Sequence, residues 1–184
     1  MATALVVIDM QEGMADRIRA GREVAVPDAP RRMAELLWLF RERDLPVVHV
    51  LHDDPDPASP FRRGEPGGAP MAETAPAPGE TVFWKSGSSA FAGTGLDAHL
   101  RRIGADRIVL VGAVAAFCIT SSTRAASDLG FRVVLPADAV LGFDIPSLDG
   151  GRIGAATVLE VTLAVLGADF ATVMPAERVA SVLG

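Results

Sequence analysis

The stretch Val109-Leu110-Val111-Gly112-Ala113-Val114-Ala115-Ala116-Phe117-Cys118-Ile119-Thr120-Ser121-Ser122 passes from an unbroken apolar run into a segment with helical character. An uninterrupted apolar strand indicates a sheet covered on both faces. A strand feeding straight into a helix is the βα unit of a doubly wound fold. The chain's single cysteine, Cys118, stands at that junction. Open α/β sheets place ligands outside the carboxyl ends of their strands. Amides at a helix start carry partial positive charge, which favours thiolate. A buried structural thiol fits the same position, because free cysteine is among the most buried residue types.

Outward from this junction the same alternation repeats. Ala4 to Ile8, Pro46 to Leu51, Thr81 to Trp84, Arg107 to Val111, Phe131 to Leu135 and Phe170 to Val173 read as six strands. Between them, Pro30 to Arg43 places Met33, Leu36, Leu37 and Phe40 at helical spacing. Leu96 to Ile103, Cys118 to Leu129, Ile153 to Leu166 and Ala176 to Leu183 read as further helices. Gly130 and Gly167 follow two of them as C-terminal stops. The expected fold is α/β: one domain over residues 1–184, with a six-stranded, mostly parallel sheet between two helical layers. Asp53 to Gly79, rich in Pro, Gly and Ala, is too long for an ordinary connection. It is expected at the rim of the active site or at a subunit contact.

Composition excludes several classes. The net charge of −6 without a basic cluster argues against nucleic acid or an anionic membrane surface as partner. No apolar run approaches the roughly 18 residues of a membrane span. Met1 to Met10 lacks the basic start of a signal peptide. One cysteine forms no internal disulfide, which suits a reducing, cytoplasmic setting. No G-x-G-x-x-G or G-x-x-x-x-G-K-[ST] pattern occurs, so a nucleotide cradle is not expected.

Two further polar residues close apolar strands: Asp9 after Ala4 to Ile8, and Lys85 after Val82-Phe83-Trp84. Each alone reads equally as a turn residue or a solvated charge. In a parallel sheet, however, Asp9, Lys85 and Cys118 reach the same edge. Together they offer a base, an ammonium and a nucleophile.

These residues lie in longer motifs. They are Ala4-Leu5-Val6-Val7-Ile8-Asp9-Met10-Gln11, Lys85-Ser86-Gly87-Ser88-Ser89-Ala90-Phe91, Val111-Gly112-Ala113-Val114-Ala115-Ala116-Phe117-Cys118-Ile119, Thr123-Arg124-Ala125-Ala126 and Asp138-Ala139. With them the chain resembles the isochorismatase-like cysteine hydrolase superfamily over nearly its whole length. The resemblance implies an Asp9/Lys85/Cys118 triad and a cis peptide between Ala113 and Val114. The amides of Val114 and Cys118 would then converge as an oxyanion hole. It also implies a homodimer or homotetramer. Ala115 and Ala116 stand where the family often has Thr-Asp, so substrate identity does not carry over.

The nicotinamidase branch of that superfamily holds a metal with an Asp-x-His pair and a distant His. This chain has His49, His52 and His99, with no further histidine in the long loop, and neither metal nor other cofactor is expected. Gln11, His52, Trp84, Phe91 and Phe117 adjoin the triad in sequence and are expected to line the substrate pocket. Phe61, Arg62 and Arg63 in the loop could approach it. The expected activity is thioester-forming hydrolysis of a small amide, with vinyl-ether hydrolysis by proton donation from Asp9, or an idle oligomeric scaffold, as alternatives.

Overall fold

The computed structural model describes residues 2–183; Met1 and Gly184, the ends of the expected domain, lie outside the described residues. The elements follow in order β1 (Ala2–Ile8), α1 (Glu12–Arg19), α2 (Ala29–Glu42), β2 (Val47–His52), β3 (Thr81–Lys85), α3 (Leu96–Arg102) and β4 (Ala105–Ala113). A π-turn (Ala115–Ile119) leads into α4 (Thr120–Asp128), then β5 (Arg132–Pro136) and β6 (Val140–Leu141). A two-residue hairpin of β7 (Ile145–Pro146) and β8 (Arg152–Ile153) precedes α5 (Ala155–Asp169) and β9 (Thr172–Met174), and a closing 3-10 segment (Ala176–Val182) ends the chain.

The main sheet runs β3-β2-β1-β4-β5-β9, all pairs parallel. These are the six strands legible in the sequence. A seventh, β6, lies beside the end of β4, Gly112 opposite Val140. β1 divides its side chains by the two-residue strand period. Leu5 and Val7 join Met33, Leu37 and Phe40 of α2 in one core layer. Ala4, Val6 and Ile8 join Leu100 of α3, Ala126 of α4 and Leu166 of α5 in the other.

Three helices differ from expectation. Glu12–Arg19 forms a helix where none was read; it offers few apolar positions for periodicity to register. The helix expected to begin at Cys118 begins at Thr120, and Cys118 sits in the wider π-turn before it. α5 runs through Gly167 to Asp169 instead of stopping at Leu166, with the amides of Phe170 and Ala171 both closing on Leu166 O. It also starts late, because Arg152 and Ile153 pair with Ile145 and Pro146.

The loop after β2 is anchored at both ends. Glu80 accepts from Nε and Nη2 of Arg41 at 2.8 and 2.9 Å and from the Ala77 amide at 2.8 Å, and lies 2.9 Å from His49 Nε2. Burial opposes ionisation of Glu80, but these donors outweigh it and hold the carboxyl at about 2. Toward the other end Phe61 is buried, and its ring lies where a Cβ on Gly13 would come within 2.8 Å. The loop is therefore packed onto α1 rather than free.

Candidate active site

β1, β3 and β4 end at one edge of the sheet, and Asp9, Lys85 and Cys118 meet there. Asp9 turns off β1 with a left-handed φ of 53°, a conformation aspartate tolerates better than most side chains. Its amide donates to Val50 O of β2 at 2.8 Å, fixing the turn to the neighbouring strand. Lys85 closes β3. The Ala113–Val114 peptide is cis, and the π-turn then presents Cys118.

Lys85 Nζ lies 2.8 Å from Asp9 Oδ2 and 3.3 Å from Cys118 Sγ. It also donates to Gly87 O at 3.0 Å and lies 3.4 Å from His52 Nδ1. Asp9 and Lys85 are almost fully buried, while Cys118 is half-buried. A buried ion pair must satisfy its hydrogen-bonding groups to persist, and Lys85 has more acceptors than protons. Asp9 Oδ1 is the exception: it is buried with no donor at hydrogen-bonding geometry.

Burial raises the Asp9 carboxyl above its ordinary value, against the opposing pull of Lys85 and the Cys118 thiol. Burial, reinforced by the Asp9 charge, pushes the Cys118 thiol up to about 11, with Lys85 opposing. One ammonium does not stabilise two buried anions, so sulfur keeps its proton beside the Asp9 carboxyl. Cys118 is thus poised to lose a proton to a carboxylate made more basic by burial.

The thiol opens into a cavity of about 330 Å³ lined by Asp9, Met14, Arg17, Arg22, His52, Asp54, Phe61, Val114, Phe117, Cys118 and Phe143. The Val114 amide, which meets no protein acceptor among the described residues, borders this space, as does Cys118. A larger hollow, about 440 Å³, opens at the amino end of β4 and β5. Its walls hold none of Asp9, Lys85 and Cys118.

A model of the isochorismatase domain matches residues 3–149. The chain belongs to the isochorismatase family of hydrolases. It is 32% identical over 178 residues to the secreted isochorismatase effector Isc1 of Verticillium dahliae, spanning 96% of this chain and 90% of that one. It is 30% identical over 151 residues to maleamate amidohydrolase of Pseudomonas putida, spanning 74% and 71%. Among solved structures, an isochorismatase-family protein from Chromobacterium violaceum superposes with a TM-score of 0.93 at 36% identity, covering 100% of this chain and 94% of that one.

Within this isochorismatase-family site, the residues expected to line the pocket divide. His52 and Phe117 border the cavity. Burial and the Lys85 charge lower the His52 pKa, which leaves Nδ1 free to face the ammonium. Gln11 does not reach the cavity. Fully buried, it accepts the His52 amide at 2.8 Å and donates to His52 O and Gly68 O at 2.9 Å each. It is a clamp between β1, β2 and the long loop.

Trp84 and Phe91 are also corrected, since neither borders the cavity. Trp84 alternates to the face away from Lys85 and is covered by Arg63, 4.8 Å from its ring. Phe91 packs on Phe131 in the core, centroids 6.0 Å apart. Met14, Arg17, Arg22, Asp54 and Phe143 were not foreseen. Met14 and Arg17 ride on the unread helix, and Phe143 follows the short β6.

The histidines do not fit the metal arrangement of the nicotinamidase branch. His49 is buried against Glu80, and His99 stacks edge-on to Phe83 in α3. Among the described residues no three His, Cys, Asp or Glu side chains gather as a metal-binding group. Also among them, no helix is long and apolar enough to cross a membrane.

Proposed function

We propose that the protein hydrolyses a small amide at a carbon–nitrogen bond through a thioester on Cys118. The observation that carries this reading is Lys85 Nζ bridging Asp9 Oδ2 and Cys118 Sγ. Asp9 takes the thiol proton as sulfur attacks the carbonyl carbon. The amides of Val114 and Cys118 receive the oxyanion. Lys85 neutralises the charge that moves between carboxylate and sulfur. Collapse breaks the carbon–nitrogen bond, and Asp9 returns the proton to the departing ammonia or amine. Water, deprotonated by Asp9, then attacks the thioester, releasing the acid and restoring the thiol. The maleamate amidohydrolase relative supports the bond type. The reaction needs a reduced thiol, and the cytoplasm is the compartment this reading assigns.

The test is a panel of small primary amides followed by ammonia release. An acid quench during turnover should yield a Cys118 adduct with the mass of the substrate's acyl group. Ammonia release with the adduct on another residue, or with no adduct under single-turnover conditions, would overturn the nucleophile. No turnover of any amide, with Cys118 inert, would favour the idle scaffold.

We also propose that a second copy of the chain covers α5, as a homodimer or as the repeating contact of a homotetramer. Glu160 is the single charged side chain in α5 before the terminal Asp169, and Val161 and Val165 are 59% and 45% exposed. Ile153 and Phe117 extend the apolar surface. An exposed patch of this kind marks an interaction site. A self-complementary apolar contact needs no opposite charge, which two chains of net −6 lack. Sedimentation should show an oligomer at micromolar concentration, and Val161→Glu with Val165→Glu should give a folded monomer. A monomeric wild type would refute the contact.

A further inference from the structure

Arg17 stands out on the cavity wall. Its guanidinium lies 4.8 Å over the Phe61 ring, and its one polar contact among the described residues is Met14 Sδ at 3.8 Å. Thioether sulfur is a weak acceptor, so nearly all five donors of the fork are unspent. Among the described residues no carboxylate pairs with Arg17, although its neighbour Arg19 on the same helix pairs with both Glu12 and Asp16. Arg17 is half-buried and feels the like charge of Arg22, both of which depress its basicity.

The other charges on the wall are committed. Asp9 pairs with Lys85. Arg22 binds Asp144 through Nε at 3.2 Å and the Asp144 carbonyl at 2.8 Å, and Arg152 takes the same carboxylate. Asp54 turns back on its own loop, accepting from the Asp56 amide at 3.0 Å and from Ser59. Asp144 therefore serves two arginines, Asp54 keeps its charge but is held by neutral donors of its own loop, and Arg17 is left with no carboxylate in contact among the described residues.

The mount under Arg17 is built rather than incidental. Phe61 is buried, and its ring occupies the space that a side chain at Gly13 would take. The long loop thus supplies a fixed aromatic platform, and α1 lays the guanidinium across it. A planar fork held this way matches a carboxylate in two-point geometry.

We propose that Arg17 is a specificity residue that binds a carboxylate on the substrate, so that the enzyme acts on small amides of dicarboxylic acids, with the amide end at Cys118 and the acid end at Arg17. This rests on the amide-hydrolase reading for the chemistry but not for the binding. A cavity of about 330 Å³ suits a short molecule spanning both groups.

Binding is tested without turnover by following iodoacetamide labelling of Cys118 at pH 9 in the presence of succinate, with butyramide as neutral control and ionic strength held constant. Succinate should slow labelling of the wild type, and about 10- to 100-fold more succinate should be needed in Arg17→Gln. Arg17→Lys should recover part of the loss. No protection of the wild type, or equal protection of both proteins, overturns the site whether or not any amide is hydrolysed. If amides are turned over, the ratio of kcat/KM for succinamate over butyramide should exceed about 10 in the wild type and collapse in Arg17→Gln, chiefly through KM. An unchanged ratio overturns the assignment while leaving the thioester mechanism standing.

Discussion

Cys118→Ala is expected to abolish amide turnover, and Asp9→Asn to lower kcat by about 10³- to 10⁴-fold while making the thiol more reactive toward iodoacetamide. The two halves of the second result separate base catalysis from thiol acidity. In the wild type, burial and the Asp9 charge together set the thiol at about 11. Asparagine removes an anion beside a group that becomes anionic on ionisation, so the thiol pKa must fall. Lys85 stays 3.3 Å from sulfur and then faces a single potential anion. The alkylation midpoint should drop by about one unit, raising the labelling rate at pH 8 by about tenfold.

Loss of turnover with gain of thiolate would show that Asp9 moves protons rather than simply keeping sulfur ionised. An alkylation midpoint that stays or rises would contradict the electrostatics of the buried trio. Activity that survives Cys118→Ala but disappears in Asp9→Asn would instead favour protonation of a vinyl ether. That chemistry needs the carboxyl and no sulfur nucleophile.

The convergence of Asp9, Lys85 and Cys118 was legible because parallel topology is a strong rule. Each residue follows an apolar strand, and parallel strands end on one side. What that rule leaves out is the third dimension of the pocket. Arg17 and Met14 reach the cavity from an eight-residue helix, and Arg22 follows it. That helix is too short and too charged to announce itself by period. Phe61, whose approach the sequence allowed, reaches the cavity from a Pro- and Gly-rich loop and packs over Gly13. Trp84 and Phe91 were misplaced because nearness in sequence to Lys85 says nothing about facing: adjacent strand residues point to opposite sides, and Phe91 finds Phe131 instead. How far the thiol pKa is raised was not legible for a related reason. A turn's amides are visible in the sequence, but the cost of burying a second anion beside Asp9 is a property of the assembled site.

Gly112→Ala is expected to prevent accumulation of folded protein, or to cost more than about 4 kcal/mol where folding survives. Gly112 has a φ of 127°, and a Cβ there would lie 2.0 Å from Ile8 O and 2.8 Å from Ile8 N. The obstacle is backbone of the central strand pair, where Ile8 and Gly112 are opposed, so no side-chain rotation relieves it. β1 and β4 would have to separate, and both lie inside the core that α2 and α4 cover. The same contact positions the chemistry. Asp9 follows Ile8 directly, and Val114 lies two residues beyond Gly112. Any shift that spares the fold must therefore move the carboxylate relative to the oxyanion amides. Chemical denaturation of the purified variant gives the stability, and kcat of the folded fraction gives the coupling. A variant within 1 kcal/mol of the wild type would mean that the strands can part at no cost, and the close approach at Gly112 would not be what fixes the distance between Asp9 and the Cys118 turn.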